Sequence, residues 1–110
     1  MTITLRTYTR NESTNALVLG FAHCRFWFSY GEIVAFYTPW TGSVVSENMW
    51  SRTTGKHLDE ISPDKADRVA HHVFTELLDG VMSRIETALK YSGELQLMEA
   101  LEHASEEQSN

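Results

Sequence analysis

The first half of the chain alternates between apolar and polar positions with the period of a β-strand. Successive side chains of a strand point to opposite faces, so such segments suit a sheet with one buried face. The pattern predicts short strands at Thr2–Tyr8, Ala16–Phe21, Arg25–Tyr30, Ile33–Thr38 and Ser43–Met49. We therefore expect a mainly antiparallel sheet of four or five strands.

Turn residues separate these strands at short intervals. Gly31 follows Tyr30 in a predicted tight turn. Pro39 and Gly42 frame a predicted hairpin, because Pro39 pre-sets the turn and Gly42 takes the left-handed position that closes it. Neighbouring strands are thus joined directly, which predicts a β-meander.

The second half has the period of a helix. Apolar residues recur every three or four positions from Val69 to Leu89. Ser62–Asp64 resembles a helix start, with a Ser cap, a Pro at the first position and an acid in the first turn. A weaker repeat over 94–104 predicts a short terminal helix.

These segments together predict one α+β domain over residues 1–104, in which the meander packs on one long helix. Residues 105–110 are expected to form a disordered acidic tail. The chain has 110 residues, of which 42% are hydrophobic, and this suffices for the core of one domain.

Cysteine content and hydropathy narrow the class of protein. The single Cys24 excludes an intramolecular disulfide and a multi-cysteine zinc site. No apolar run reaches the roughly 18 residues that a membrane helix needs. The N-terminus lacks the charged-then-apolar order of a signal peptide. We expect a cytoplasmic protein with no metal and no cofactor.

The formal net charge of −6 is unevenly distributed along the chain. Residues 1–56 carry five basic and three acidic side chains, which gives +2. Residues 57–110 carry four basic and twelve acidic side chains, which gives −8. The acidic half is either a solvated face or an interaction surface. The net charge therefore does not decide whether the partner is acidic or basic.

The segment Trp50–His57, which we expect to be a loop between the last strand and the helical half, combines hydroxyls, cations, a histidine and a glycine in eight residues. Such residues can hold an anion, and an indole can stack on a base or a guanidinium. The segment is not a phosphate-binding Walker A loop, because Trp50 and His57 replace the required Gly and Ser/Thr. The alternative is a turn in which its hydroxyls cap backbone groups. The candidate binding residues are Trp50, Ser51, Arg52, Thr53, Thr54, Lys56 and His57, together with the aromatic residues Tyr30 and Trp40 of the sheet half.

The strand ends and the Trp50–His57 segment carry a family resemblance. The residues concerned are Phe28–Tyr30, Val34–Phe36, Glu47–Asn48 and Trp50–Leu58. They resemble a group of small uncharacterised proteins of bacteria, archaea, plasmids and phages. The resemblance spans about Phe26–Ile61, brings no activity with it, and implies a phage- or plasmid-type setting. The signature positions that it implies are Ser51, Thr53, Thr54 and His57.

We expect a non-catalytic binding module that contacts a host protein through the Trp50–His57 segment and the aromatic sheet face. A nucleic-acid-binding module using the same segment is one alternative. A homodimer through Val69 to Leu89 is another. A hydrolase would need His57 beside a hydroxyl or the Cys24 thiol. No membrane partner is expected.

Overall fold

The first half of the chain forms one antiparallel sheet whose strands follow the sequence order. A computed structural model describes residues 2–91 of the chain. The strands are β1 (Thr4–Thr7), β2 (Ala16–Phe21), β3 (Cys24–Ser29), β4 (Glu32–Thr38) and β5 (Gly42–Val45). Each strand after β1 pairs with the strand before it, so the predicted meander is confirmed.

Three helical segments follow the sheet. They are α1 (Arg52–Ile61), a 3₁₀ turn (Lys65–Asp67) and α2 (His71–Lys90). The predicted α+β fold class is confirmed, since a long helix follows an antiparallel sheet. The predicted terminal helix over 94–104 and the tail over 105–110 lie outside the described residues.

Two of the predicted turns are present, and the structure has a further turn that its residue types do not predict. Tyr30 and Gly31 have φ of 51° and 83°, which is the pattern of a two-residue type I′ hairpin turn. Gly42 has φ of 71°, as predicted for the residue that closes its hairpin. Ala22 and His23, with φ of 50° and 63°, also turn a hairpin, although neither residue type favours that conformation.

The last strand is shorter than predicted. It ends at Val45 rather than Met49, and the backbone around its end also pairs with a later segment. The Val69 N–H donates to the Val45 carbonyl at 2.8 Å, and the Glu47 N–H donates to the Val69 carbonyl at 2.8 Å. Ser46 and Val69 thereby form an isolated parallel bridge.

The predicted helix start at Ser62–Asp64 is wrong. Ser62 ends α1 instead, since its N–H donates to the Leu58 carbonyl at 2.8 Å. Pro63 suits a position just after a helix, because proline cannot continue one. Asp64 caps the short 3₁₀ turn by accepting from the Ala66 N–H at 2.9 Å. The long helix begins only at His71.

The sheet core contains aromatic and branched side chains. Phe36 packs against Phe26 and Phe74, with ring centroids 6.5 Å and 5.4 Å apart. The chain divides into two compact units, and the boundary falls inside α2, between Thr75 and Glu76. Among residues 2–91, no helix combines the length and the apolar character needed to cross a membrane.

Candidate functional site

The Trp50–His57 segment is a short turn followed by the first half of α1, so the loop predicted there is wrong. Asn48 holds the turn, because its Oδ1 accepts from the Trp50 N–H and its Nδ2 donates to the Ser51 carbonyl, both at 3.0 Å. Ser51 then caps the helix, since its Oγ accepts from the Thr54 N–H at 3.1 Å.

One side of α1 faces the sheet, and we call it the inner face. Its members follow the helical spacing of three and four residues. They are Thr54, His57, Leu58 and Ile61. Leu58 is fully buried in a cluster with Val34, Ala35 and Val45, against which Ile61 also packs. This contact fixes α1 on the sheet.

A chain of hydrogen bonds joins the inner face to the end of β3. The Ser29 hydroxyl oxygen lies 2.9 Å from Thr54 Oγ1 and 2.7 Å from His57 Nδ1. Ser29, Thr54 and His57 are only 2%, 3% and 5% exposed. Buried polar atoms need such partners, so the arrangement anchors the helix to the sheet.

Two tyrosine rings flank His57. Tyr30 stacks on the imidazole with centroids 5.7 Å apart, and Tyr8 meets it edge-on at 6.2 Å. The Tyr8 hydroxyl donates to the Phe28 carbonyl at 3.0 Å. Burial lowers the pKa of His57 and raises the pKa of Tyr8. Burial therefore disfavours the charged form of the His57 ring.

The opposite side of α1 lines a groove, which we call the α1 groove. Its helical residues are Arg52, Gly55, Lys56 and Asp59, which are displaced by two positions from the inner face. The groove encloses about 430 Å³, and its remaining lining consists of Glu47, Asn48, Lys65 and Arg68. Gly55 brings the helix close to Asn48, because a Cβ there would lie 2.9 Å from Asn48 Nδ2.

Arg68 is the least exposed cation of the α1 groove, with 5% of its side chain exposed. Its Nη2 donates to Asp59 Oδ1 at 2.8 Å and to the Ser62 carbonyl at 3.0 Å. Its Nε is buried and finds no acceptor among the described residues. An unsatisfied buried donor is costly, so this guanidinium can gain from a further acceptor.

The second carboxylate of the groove belongs to a neighbouring cluster. Glu47 Oε1 accepts from the His71 N–H at the start of α2, at 3.1 Å. His71 Nδ1 lies 3.2 Å from Ser46 Oγ, and its ring meets Trp50 edge-on at 5.2 Å. The Trp50 indole is therefore engaged in packing, which limits it as a platform for stacking.

A smaller pocket of about 340 Å³ lies on the same helix. Its lining is Thr9, Arg10, Asn11, Thr53, Lys56, His57 and Glu60. Because His57 Nδ1 is engaged with Ser29, Nε2 is the ring nitrogen that a ligand in this pocket would meet. Over residues 2–91, no group of three His, Cys, Asp or Glu side chains is placed to hold a metal ion.

The structure separates the predicted binding residues into different roles. Arg52 and Lys56 lie in the α1 groove, whereas Thr54 and His57 are buried on the inner face with Tyr30 against the ring. Ser51 caps α1, Thr53 lines the smaller pocket, and Trp50 packs on His71. Trp40 lies apart from the other predicted binding residues. It is in the turn after β4, at the opposite end of that strand from the Tyr30 turn.

The candidate binding residues leave out several residues that shape the site. Among these are Ser29, Asp59, Lys65 and Arg68. The sequence could have marked Ser29 as a site residue, because it is a small polar residue at the end of an aromatic strand. It marks Arg68 more weakly, as one of the few basic residues in the acidic half. Nothing in the sequence pairs Arg68 with Asp59 across the intervening 3₁₀ turn.

The described fold is thus a β-meander with a capped helix that presents a charged groove. The chain belongs to a family whose profile matches residues 3–75, described as Family of unknown function (DUF8033). The match is wider than the Phe26–Ile61 resemblance, and it ends at the boundary of the first compact unit, at Thr75. No curated protein and no solved structure matches the chain.

Proposed function

We propose that the chain is a non-catalytic binding module and that the α1 groove contacts a protein partner. The observation that carries this proposal is the convergence of four cationic side chains on one concave surface. They are Arg52, Lys56, Lys65 and Arg68. Three of them are exposed, so their charges are available to a partner. A surface of this kind suits an acidic segment.

The composition of the groove favours a protein over a nucleic acid. Glu47 and Asp59 lie in the same lining as the four cations. A continuous phosphate backbone would meet these carboxylates, and it would also be repelled by the net charge of −6. A protein segment can match both signs of charge.

Burial supports a non-catalytic role. Ser29 and His57 form a serine–histidine pair at 2.7 Å, but they are 2% and 5% exposed. A nucleophile must reach its substrate. Cys24 opens β3, whereas Ser29 ends it. Five steps of about 3.3 Å along the strand place the two residues roughly 17 Å apart. The thiol is therefore distant from the hydroxyl that holds His57.

Quantitative capture of partners from the native host tests this function. The variant carries Arg52→Glu and Lys56→Glu, and the control carries Arg25→Glu on the exposed side of β3. We expect the proteins retained by wild type and control to be lost from the groove variant. Retention of the same proteins by the groove variant would overturn the proposal, as would salt-sensitive retardation of labelled DNA or RNA.

The setting that we propose is the cytoplasm of a host, and it rests on the resemblance to phage and plasmid proteins. The buried free thiol of Cys24 is compatible with a reducing compartment. The same capture experiment addresses this setting, since it identifies the retained proteins. Exclusively secreted partners would contradict it.

A homodimer through Val69–Leu89 is the second candidate. It is favoured by apolar side chains on α2, where Leu77 and Met82 are 40% and 36% exposed. Light scattering across micromolar concentrations tests it. A concentration-dependent doubling of mass would support the dimer, and a strict monomer would remove it.

A further inference from the structure

We infer that the α1 groove is a phosphate-binding subsite and that the phosphate is carried by a side chain of the protein partner. This inference rests on the proposed protein partner and adds the chemistry of the contact. It depends on the charge of the groove, on the burial of Arg68 and on the position of Asp59.

The charge balance of the groove matches a dianion. Four cations and two carboxylates line it, which leaves a charge of +2. Glu47 is already committed, because its carboxylate accepts from the His71 N–H at the start of α2. A phosphorylated side chain carries between −1.5 and −2 near neutral pH, whereas a carboxylate carries −1. The phosphate is therefore the better match.

The buried guanidinium of Arg68 provides an anchor. Arginine binds phosphate through a planar fork of N–H donors, and this binding is strongest where the guanidinium is shielded from water. Arg68 is shielded, and its Nε lacks an acceptor among the described residues. A phosphate oxygen supplies that missing acceptor after a small shift of the side chain.

Asp59 already accepts a hydrogen bond from one nitrogen of the same guanidinium. Its Oδ1 accepts from Arg68 Nη2 at 2.8 Å, while its own side chain is 52% exposed. An exposed carboxylate can turn into water when a stronger acceptor arrives. Asp59 is thus a built-in competitor, and its removal should strengthen binding of an anion rather than weaken it.

NMR titration of the full chain with N-acetyl-phosphoserine amide tests this inference. We expect the resonances of the Arg68 Nε–H and of residues 52–59 to shift on binding. Arg68→Lys keeps the charge but removes the fork, so affinity should fall by about tenfold to a hundredfold. Asp59→Asn should raise affinity by about threefold to tenfold, since it removes a like charge near the dianion.

Matched controls separate a specific site from general attraction. Arg25→Ala, outside the α1 groove, should leave affinity unchanged. If Arg68→Lys fails to fold, the exposed pair Lys56→Ala and Lys65→Ala provides the same test, and affinity should again fall. Unchanged affinity in that pair, or weaker binding by Asp59→Asn, would overturn the subsite.

Further probes distinguish the source of the anion. Inorganic phosphate should bind at the same resonances, and N-acetyl-glutamate amide should bind more weakly than the phosphoserine probe. Equal binding of the glutamate probe would overturn the choice of phosphate. Tighter binding of an oligothymidylate would assign the phosphate to nucleic acid instead. If no phosphate probe binds but Arg52→Glu with Lys56→Glu still loses its captured partner, this inference fails while the proposed function stands.

Discussion

The two faces of α1 differ in what their side chains do, although they lie only two positions apart in sequence. The inner face contains Thr54 and His57, which are bonded to Ser29 inside the protein. The groove side contains Arg52 and Lys56, which remain exposed. Residue types that suggest chemistry thus hold the helix in place, and ordinary charged residues form the surface that a partner can reach.

Burial explains this division. A buried polar group is costly unless it is paired, so each member of the Ser29–Thr54–His57 chain depends on the others. Exposed charges add little to the free energy of unfolding, so they can be altered without loss of the fold. We therefore expect variants of the inner face to affect stability, and variants of the α1 groove to affect binding.

The largest effect on stability should come from Leu58→Ala. Leu58 is fully buried between α1 and the sheet, and truncation leaves a cavity there. The free energy of unfolding should fall by about 2–5 kcal/mol, measured by urea denaturation. A loss below 1 kcal/mol, on the order of a surface substitution, would contradict the assigned packing.

Ser29→Ala should have the next largest effect. It removes the atom that lies between Thr54 and His57, and it leaves both without that partner in a buried site. We expect a loss of about 1–3 kcal/mol in urea denaturation. Ser43→Ala, at an exposed position of β5, is the matched control and should change little. Equal losses in the two variants would refute the role of the hydrogen bonds.

The pH dependence of stability should show the burial of His57. Its pKa in the folded state is lowered by burial, so the unfolded chain binds a proton more readily. The contribution of neutral His57 to the free energy of unfolding is therefore fully present above the unfolded pKa of about 6.5. This contribution is lost as pH falls through the folded pKa. Denaturation curves between pH 7.5 and pH 5 should show this loss, and His57→Gln should reduce it. An unchanged pH profile in His57→Gln would assign the effect to other groups.

The smallest effect on stability should come from the groove side. Arg52→Ala combined with Lys56→Ala should change the free energy of unfolding by no more than about 0.5 kcal/mol. The same variant should lose its captured partner. A large destabilisation would show that these cations support the fold, and the contrast between the two faces would then fail.

Much of the sheet could be predicted from the sequence, because strand period and turn chemistry act locally. Gly31 and Gly42 take the positive φ values that their turns require. The hairpin at Ala22 and His23 could not be predicted in this way, since register with β3 and tertiary contacts impose a conformation that neither residue favours. The pairing of the backbone around Val45 with Val69 could not be predicted either, because Val69 lies far along the chain.

Helix α1 was missed because its local signals are weak. Thr53, Thr54 and Gly55 have low helix propensity. The helix forms nevertheless, because Ser51 caps it and Leu58 packs on the sheet. Once that helix is known, the helical spacing of its residues places Lys56 on the groove side and His57 on the inner face. The pairing of Arg68 with Asp59 requires the three-dimensional structure.

Amide hydrogen exchange on the chain alone and on its complex with the captured partner tests recognition through the α1 groove. We expect added protection along the groove side, over residues 52–56 at the start of α1 and over 65–68. The strands of the sheet should exchange as they do in the free chain. Added protection confined to β1 and β2, or to the turn that contains Trp40, would contradict recognition through the α1 groove.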